Sequence, residues 1–121
     1  MQPPVTILCY SKCTTCQKAE KWLKEKGIDY NYRPIKEENP MADELAGWIV
    51  KSGLPVNRFF NTSGLLYKEQ NIKDKIKSLS EKELIDILAS NGMMVKRPIL
   101  LSGNTVLIGF KETEWSEKLL K

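Results

Sequence analysis

"VTILCYSKCTTCQKAEKWLKEKG", residues Val5–Gly27, joins an apolar run to an amphipathic one through two cysteines three residues apart, Cys13 and Cys16. Val5 to Tyr10 is short, apolar and rich in β-formers, the pattern of a buried strand. From about Thr14 to Lys26, Ala19, Trp22 and Leu23 make one apolar stripe, and Gly27 stands where a helix-ending glycine belongs. "IDYNYRPI", residues 28–35, reads as a second strand with Pro34 near its end. Strand, helix and strand in that order predict a βαβ unit with parallel strands and a right-handed crossover.

Further along, "NPMADELAGWIVKSG" predicts a helix capped by Asn39, with Pro40 in its first turn, Leu45, Trp48 and Ile49 on its buried side and Gly53 at its end. "LPVNRFFNTSG" reads as irregular, and "LLYKEQNIKDKIKSL" as one short helix or two. Ser80 and Glu83 form a capping box before "LIDILAS", and Asn91 and Gly92 close that helix. "RPILLSGNTVLIGF" holds two apolar runs around Gly103 and Asn104, the signal of an antiparallel hairpin. A last helix, about Glu112 to Leu120, carries Trp115, Leu119 and Leu120 on its apolar side. The order β-α-β, helices, β-β-α predicts an α/β fold: a mixed sheet with helices on both faces.

The 121 residues are enough for one domain with its own core. No apolar run approaches the roughly 20 residues of a membrane span, so no membrane association is expected. "MQPPVTILCY" has neither a basic start nor a long apolar segment, so no signal peptide is expected and the cytoplasm is the expected location. The net charge of +4 is spread along the chain, with lysines one helical turn from acids, as in Glu20 with Lys24 and Glu114 with Lys118. That is the signature of a solvated helix face, not of direct nucleic-acid binding.

Three cysteines without a signal peptide argue against a disulfide scaffold. The absence of histidine removes Ser-His and Cys-His catalysis and the commonest metal ligand. A structural zinc site needs four ligands, and one pair plus a lone cysteine falls short, so no metal is expected. Inert core thiols suit Cys9, which lies inside a strand, but not Cys13, which lies at a polar turn between strand and helix. A redox pair suits both members. Unpaired N–H groups and the helix dipole stabilise a thiolate at Cys13, below the usual thiol value of about 8.5. Cys16, one turn on, is placed to attack a mixed disulfide on Cys13. Cys13 is thus the expected nucleophile and Cys16 the resolving thiol. Lys12 adds positive charge there or is simply a surface lysine, and the backbone at Thr14 and Thr15 supplies anion donors.

"KRPILL" is the second candidate piece. Pro98 starts a strand, where its missing N–H costs nothing, and X-Pro bonds are the usual place for cis peptides. Arg97 either faces the thiolate or an oxyanion, or is an ordinary surface arginine before an edge strand.

Together "YSKCTTCQKAEKWL", "FFNTSGLLYKE", "KRPILL" and "VLIGF", in that order and spacing, resemble the arsenate reductase and Spx-like (ArsC-related) family of the thioredoxin-fold superfamily, over nearly the whole chain. The resemblance implies a single thioredoxin-like domain, with residues 1–36 and 93–121 as the core and 37–92 as a helical insertion. It implies a nucleophile at Cys13, a strand-starting Arg97, and a cis bond before Pro98. No bound cofactor is implied. Glutathione or another thiol is the implied reductant, with glutaredoxin or thioredoxin as protein partners and a small thiol or an oxyanion as substrate. The arsenate reductases of this family surround the oxyanion with three arginines. Only Arg97 matches, with Asn61 and Gly109 at the other two positions, and those enzymes usually have serine at the position of Cys16. Asn61 donates a hydrogen bond but cannot neutralise an oxyanion, and each lost charge-assisted contact is worth about 1.5–3 kcal/mol. Little arsenate reduction is therefore expected. Two classes of function follow: a thiol–disulfide oxidoreductase, which is favoured, or an Spx-like regulator that docks on RNA polymerase with the Cys13–Cys16 disulfide as its switch.

Overall fold

β1 (Val5–Cys9) is an inner strand of a four-stranded mixed sheet, in a computed structural model that describes residues 3–120. α1 (Thr14–Glu25) follows it and leads to β2 (Asn31–Pro34), which pairs parallel to β1 with Ile7 opposite Tyr32. A parallel neighbour needs such a crossover, because a tight turn can only reverse the chain. β3 (Ile99–Ser102) lies antiparallel on the other side of β1, and β4 (Thr105–Ile108) antiparallel to β3. Gly103 makes the hairpin turn with φ of +58°, a conformation closed to most side chains. α6 (Glu112–Leu119) ends the chain's ordered elements.

Alternation along β1 sends Val5, Ile7 and Cys9 to one face, where they join Leu100 and Leu107 of the neighbouring strands. α1 covers that face with Cys16, Ala19, Trp22 and Leu23, and α6 with Trp115 and Leu119. Trp115 meets the edges of Trp22 and Phe110 at centroid distances of 6.0 and 4.9 Å. Two of the three cysteines, Cys9 and Cys16, are therefore members of this core.

The chain up to Pro34 and from Arg97 onward makes up one compact unit, and Ile35–Lys96 a second, helical one inserted between the two halves of the first. α2 (Ala42–Ser52) buries Leu45, Trp48 and Ile49, and α5 (Glu81–Ser90) packs against it with Leu84, Ile85 and Leu88 buried. Ser80 caps α5 as its sequence predicts: its Oγ accepts from the Glu83 N–H at 3.2 Å, and Glu83 Oε1 accepts from the Ser80 N–H at 3.1 Å. A Cβ on Gly92 would overlap the carbonyl of Ile35, so only glycine fits there.

Several local expectations are corrected. α2 begins after Met41 rather than Asn39, because Glu44 Oε1 accepts from the Met41 N–H at 3.0 Å and sets the first turn there; Asn39 Nδ2 donates to the Ala89 carbonyl at 2.8 Å. "LLYKEQNIKDKIKSL" is two helices, α3 (Leu65–Glu69) and α4 (Ile72–Ser78), broken by Asn71 in a left-handed conformation. "LPVNRFFNTSG" is partly regular: Val56–Phe59 is a 3₁₀ turn and Phe60 bridges to Val95. Leu120 lies beyond α6 and is half exposed rather than part of its apolar side.

Candidate active site

Cys13 is the residue at which the chain leaves β1 and enters α1. Its N–H donates to the Tyr10 carbonyl at 3.0 Å, closing the turn, and its carbonyl accepts the first intrahelical bond from Gln17 at 3.1 Å. Its backbone is extended and its side chain caps nothing. The sulfur is thus held at a helix N-terminus without being consumed by it. Cys13 is partly exposed, Cys9 and Cys16 are buried, and all three are free thiols.

The three sulfurs form one hydrogen-bonded group. The Cys9 thiol donates to Cys16, which outweighs the effect of burial; the Tyr10 backbone and the Cys13 thiol add donors, and the charge of Arg97 adds attraction. Cys16 is held down at about 6 as a result. Cys9 is pushed far above the usual thiol range, first by donating to Cys16 and then by burial, so it remains protonated. The hydrogen bonds thus lower Cys16, the thiol cast as resolving, and the largest contribution comes from a neighbouring thiol in the core that a nearest-turn argument does not see.

Arg97 lies at the start of β3's approach, and its bond to Pro98 is cis. Its guanidinium carbon sits 5.1 Å from the centroid of the Tyr10 ring. Among the described residues, its Nε and Nη1 are buried with no hydrogen-bond partner. Arg97 is half-buried, with these two donors desolvated, and its charge is among the influences that lower Cys16. Pro98 is buried, and its carbonyl accepts from the Gly109 N–H at 2.8 Å. Gly109 has φ of +71°, which disfavours an arginine there on backbone grounds alone.

Lys12, Thr14 and Thr15 are exposed around the Cys13 turn. Asn61 belongs to the second unit, where its backbone N–H donates to Met94 and its Oδ1 accepts from Ser63 Oγ at 3.3 Å. Among the described residues, no three side chains of metal-ligating type are arranged to hold a metal ion, and no helix is long and apolar enough to cross a membrane. A separate groove of about 690 Å³ lies where α1 gives way to β2. Neither Cys13 nor Cys16 lines it; Glu20 does, accepting from the Tyr30 hydroxyl at 2.8 Å. Burial, then this bond, raises Tyr30, and Glu20 thus has a partner other than the expected Lys24.

A strand–CxxC–helix turn beside a cis Arg-Pro is one local arrangement, and the ArsC family model matches the chain over residues 8–118. The chain belongs to the ArsC family. It is 46% identical to the protein YusI of Bacillus subtilis, over 93% of this chain and 96% of that one. It is 30% identical to the global transcriptional regulator Spx of Staphylococcus aureus, over 91% of this chain and 82% of Spx. A solved structure of an ArsC family related protein from Bacteroides fragilis superposes with a TM-score of 0.91 at 48% identity, covering 94% of this chain and 97% of that one.

Two residues of this ArsC-family site escape sequence reasoning. Cys9 looks like a strand-core thiol, and it is one, but its partner across the core is Cys16. Tyr10 looks like the end of a strand. The only signal in the sequence is its position three residues before Cys13, the distance at which a turn carbonyl meets the following N–H.

Proposed function

We propose that this ArsC-family chain is a thiol–disulfide oxidoreductase with Cys13 as attacking thiol and Cys16 as resolving thiol. The observation that carries this reading is the pairing of a partly exposed Cys13 with a buried Cys16 held at about 6, one helical turn apart. One proton leaves the hydrogen-bonded pair below neutral pH, and the Cys13–Cys16 hydrogen bond lets the exposed sulfur take up the charge. The Cys13 thiolate attacks one sulfur of a disulfide R–S–S–R′, forming Cys13–S–S–R and releasing R′S⁻. R′S⁻ takes up the Cys16 proton, and the Cys16 thiolate then attacks the Cys13 sulfur, releasing RS⁻ and leaving a Cys13–Cys16 disulfide. Two electrons pass from protein to substrate. Two molecules of glutathione, or a dithiol protein of glutaredoxin or thioredoxin type, return them and become disulfides themselves. Arg97 favours anionic substrates, and Lys12 with the first-turn N–H groups at Thr14 and Thr15 adds to that field. Arsenate is a poor candidate, since Asn61 and Gly109 offer no second and third cation.

The test is oxidation followed by thiol mapping. Oxidised protein should have two fewer alkylatable thiols, with the bridge on Cys13 and Cys16 and Cys9 still reduced. A bridge that includes Cys9 refutes the assignment of roles. Turnover on a panel of oxidised thiols, with glutathione and with thioredoxin as reductants, then separates the reductants; robust arsenate reduction would overturn the substrate preference.

The likeness to Spx supports a second reading, a regulator switched by the same disulfide. Binding to purified RNA polymerase that depends on reductant, without turnover on the panel, would favour it.

A further inference from the structure

We infer that Tyr10 is a positioning residue that sets the site's preference for anionic substrates, by holding Arg97 with its charge uncancelled. The role rests on the proposed chemistry at Cys13 and concerns which substrates reach it fastest.

Tyr10 touches the site in three ways. Its carbonyl accepts the Cys13 N–H at 3.0 Å, its backbone donates toward Cys16, and its ring carries the Arg97 guanidinium at 5.1 Å. The first two fix the Tyr10 backbone to the thiol turn. The ring thus extends from a backbone tied to the thiol turn, and the charge of the guanidinium lying against it is felt at Cys16, one helical turn from Cys13.

An aromatic face supports this half-buried cation, and its consequence is specific. A carboxylate would hold the guanidinium firmly but would cancel its charge and occupy its N–H groups. The ring's negative face attracts the cation within the roughly 6 Å range of such contacts and takes up no N–H donor. Nε and Nη1 accordingly remain buried and unpartnered. Unmet buried donors are costly, and a negatively charged substrate group is the partner that relieves that cost most. The favoured substrate is thus a sulfur compound bearing an anionic group near the attacked sulfur.

The experiment compares alkylation of Cys13 by iodoacetate, which is anionic, and iodoacetamide, which is neutral. Both consume the same thiolate, so their rate ratio cancels thiol acidity and reports the local potential. Mass mapping confirms Cys13 as the alkylated residue in each protein. Arg97→Ala should lower the ratio. Tyr10→Leu should lower it about two- to fivefold, the size of one cation–π contact, and should have no further effect in the Arg97→Ala background. Tyr10→Phe, which keeps the ring, should restore the wild-type ratio. Far-UV circular dichroism checks the fold, and Tyr10→Met replaces Tyr10→Leu if the latter does not fold. If Tyr10→Phe is as low as Tyr10→Leu, or if Tyr10→Leu matches wild type while Arg97→Ala does not, the role of Tyr10 is refuted and that of Arg97 stands. If Arg97→Ala leaves the ratio unchanged, both fail.

Discussion

Cys16 shows how far one buried hydrogen bond can move a side chain's chemistry. Burial alone disfavours a thiolate, but the donors from Cys9, Tyr10 and Cys13 overcome it and hold Cys16 at about 6. The consequence for stability has a definite sign. Between about pH 6 and the free-thiol value of about 8.5, the unfolded chain binds a proton at this position that the folded chain has released. The stability of the reduced protein should therefore rise with pH across that window, by at most about 1.4 kcal/mol per pH unit, and this contribution is lost as pH falls through 6. Cys9 acts oppositely, but only above the free-thiol range, because its shift is upward. Melting temperatures of reduced protein from pH 5.5 to about 10, with thiolate absorbance at about 240 nm, test both statements, the Cys16 effect below the free-thiol value of about 8.5 and the Cys9 effect above it. Cys16→Ser should flatten the rising limb and abolish the low-pH thiolate. A thiolate that survives this substitution would place the acidic thiol elsewhere.

At the scale of elements, helix starts are where the chain does its local work, and they are built in different ways. α5 is capped by its own sequence: Ser80 and Glu83 satisfy each other's backbone donors. Ser80→Ala should cost about 0.5–2 kcal/mol in urea denaturation without altering the thiol chemistry. α1 begins at Cys13 with no side-chain cap. A serine or aspartate there would stabilise the helix more, so the position trades local stability for a thiol with a free sulfur. α2 begins after Met41, later than its sequence suggests, where Glu44 Oε1 accepts the Met41 N–H at 3.0 Å.

In the molecule as a whole, the sheet's covered face and the thiol site share one core. Trp115 is fully buried between α6 and the sheet, touches Trp22 and Phe110, and donates from Nε1 to the Gly109 carbonyl at 3.2 Å. Trp22 lies on the helix that carries Cys16. Trp115→Ala should cost about 3–5 kcal/mol, read as a lower urea midpoint, and should also slow Cys13–Cys16 disulfide formation by loosening α1. Loss of stability with unchanged disulfide kinetics would separate the aromatic cluster from the site.

The strand–helix–strand opening, the Gly103 hairpin, the capping box at Ser80 and the candidacy of Cys13, Cys16 and Arg97 are all legible in the amino-acid order. Each is written in neighbouring residues: apolar periodicity, turn chemistry and three-residue spacing act over a few positions. The other features depend on residues brought together from far apart. The end of β1 had to meet α1 before Cys9 could donate to Cys16 and lower it. β3 had to lie beside β1 before Arg97 could reach the ring of Tyr10, and α5 had to be in place before Asn39 could donate to Ala89. Local pattern encodes which groups the chain carries, whereas packing determines which of them touch, and pKa values and charge availability depend on touch.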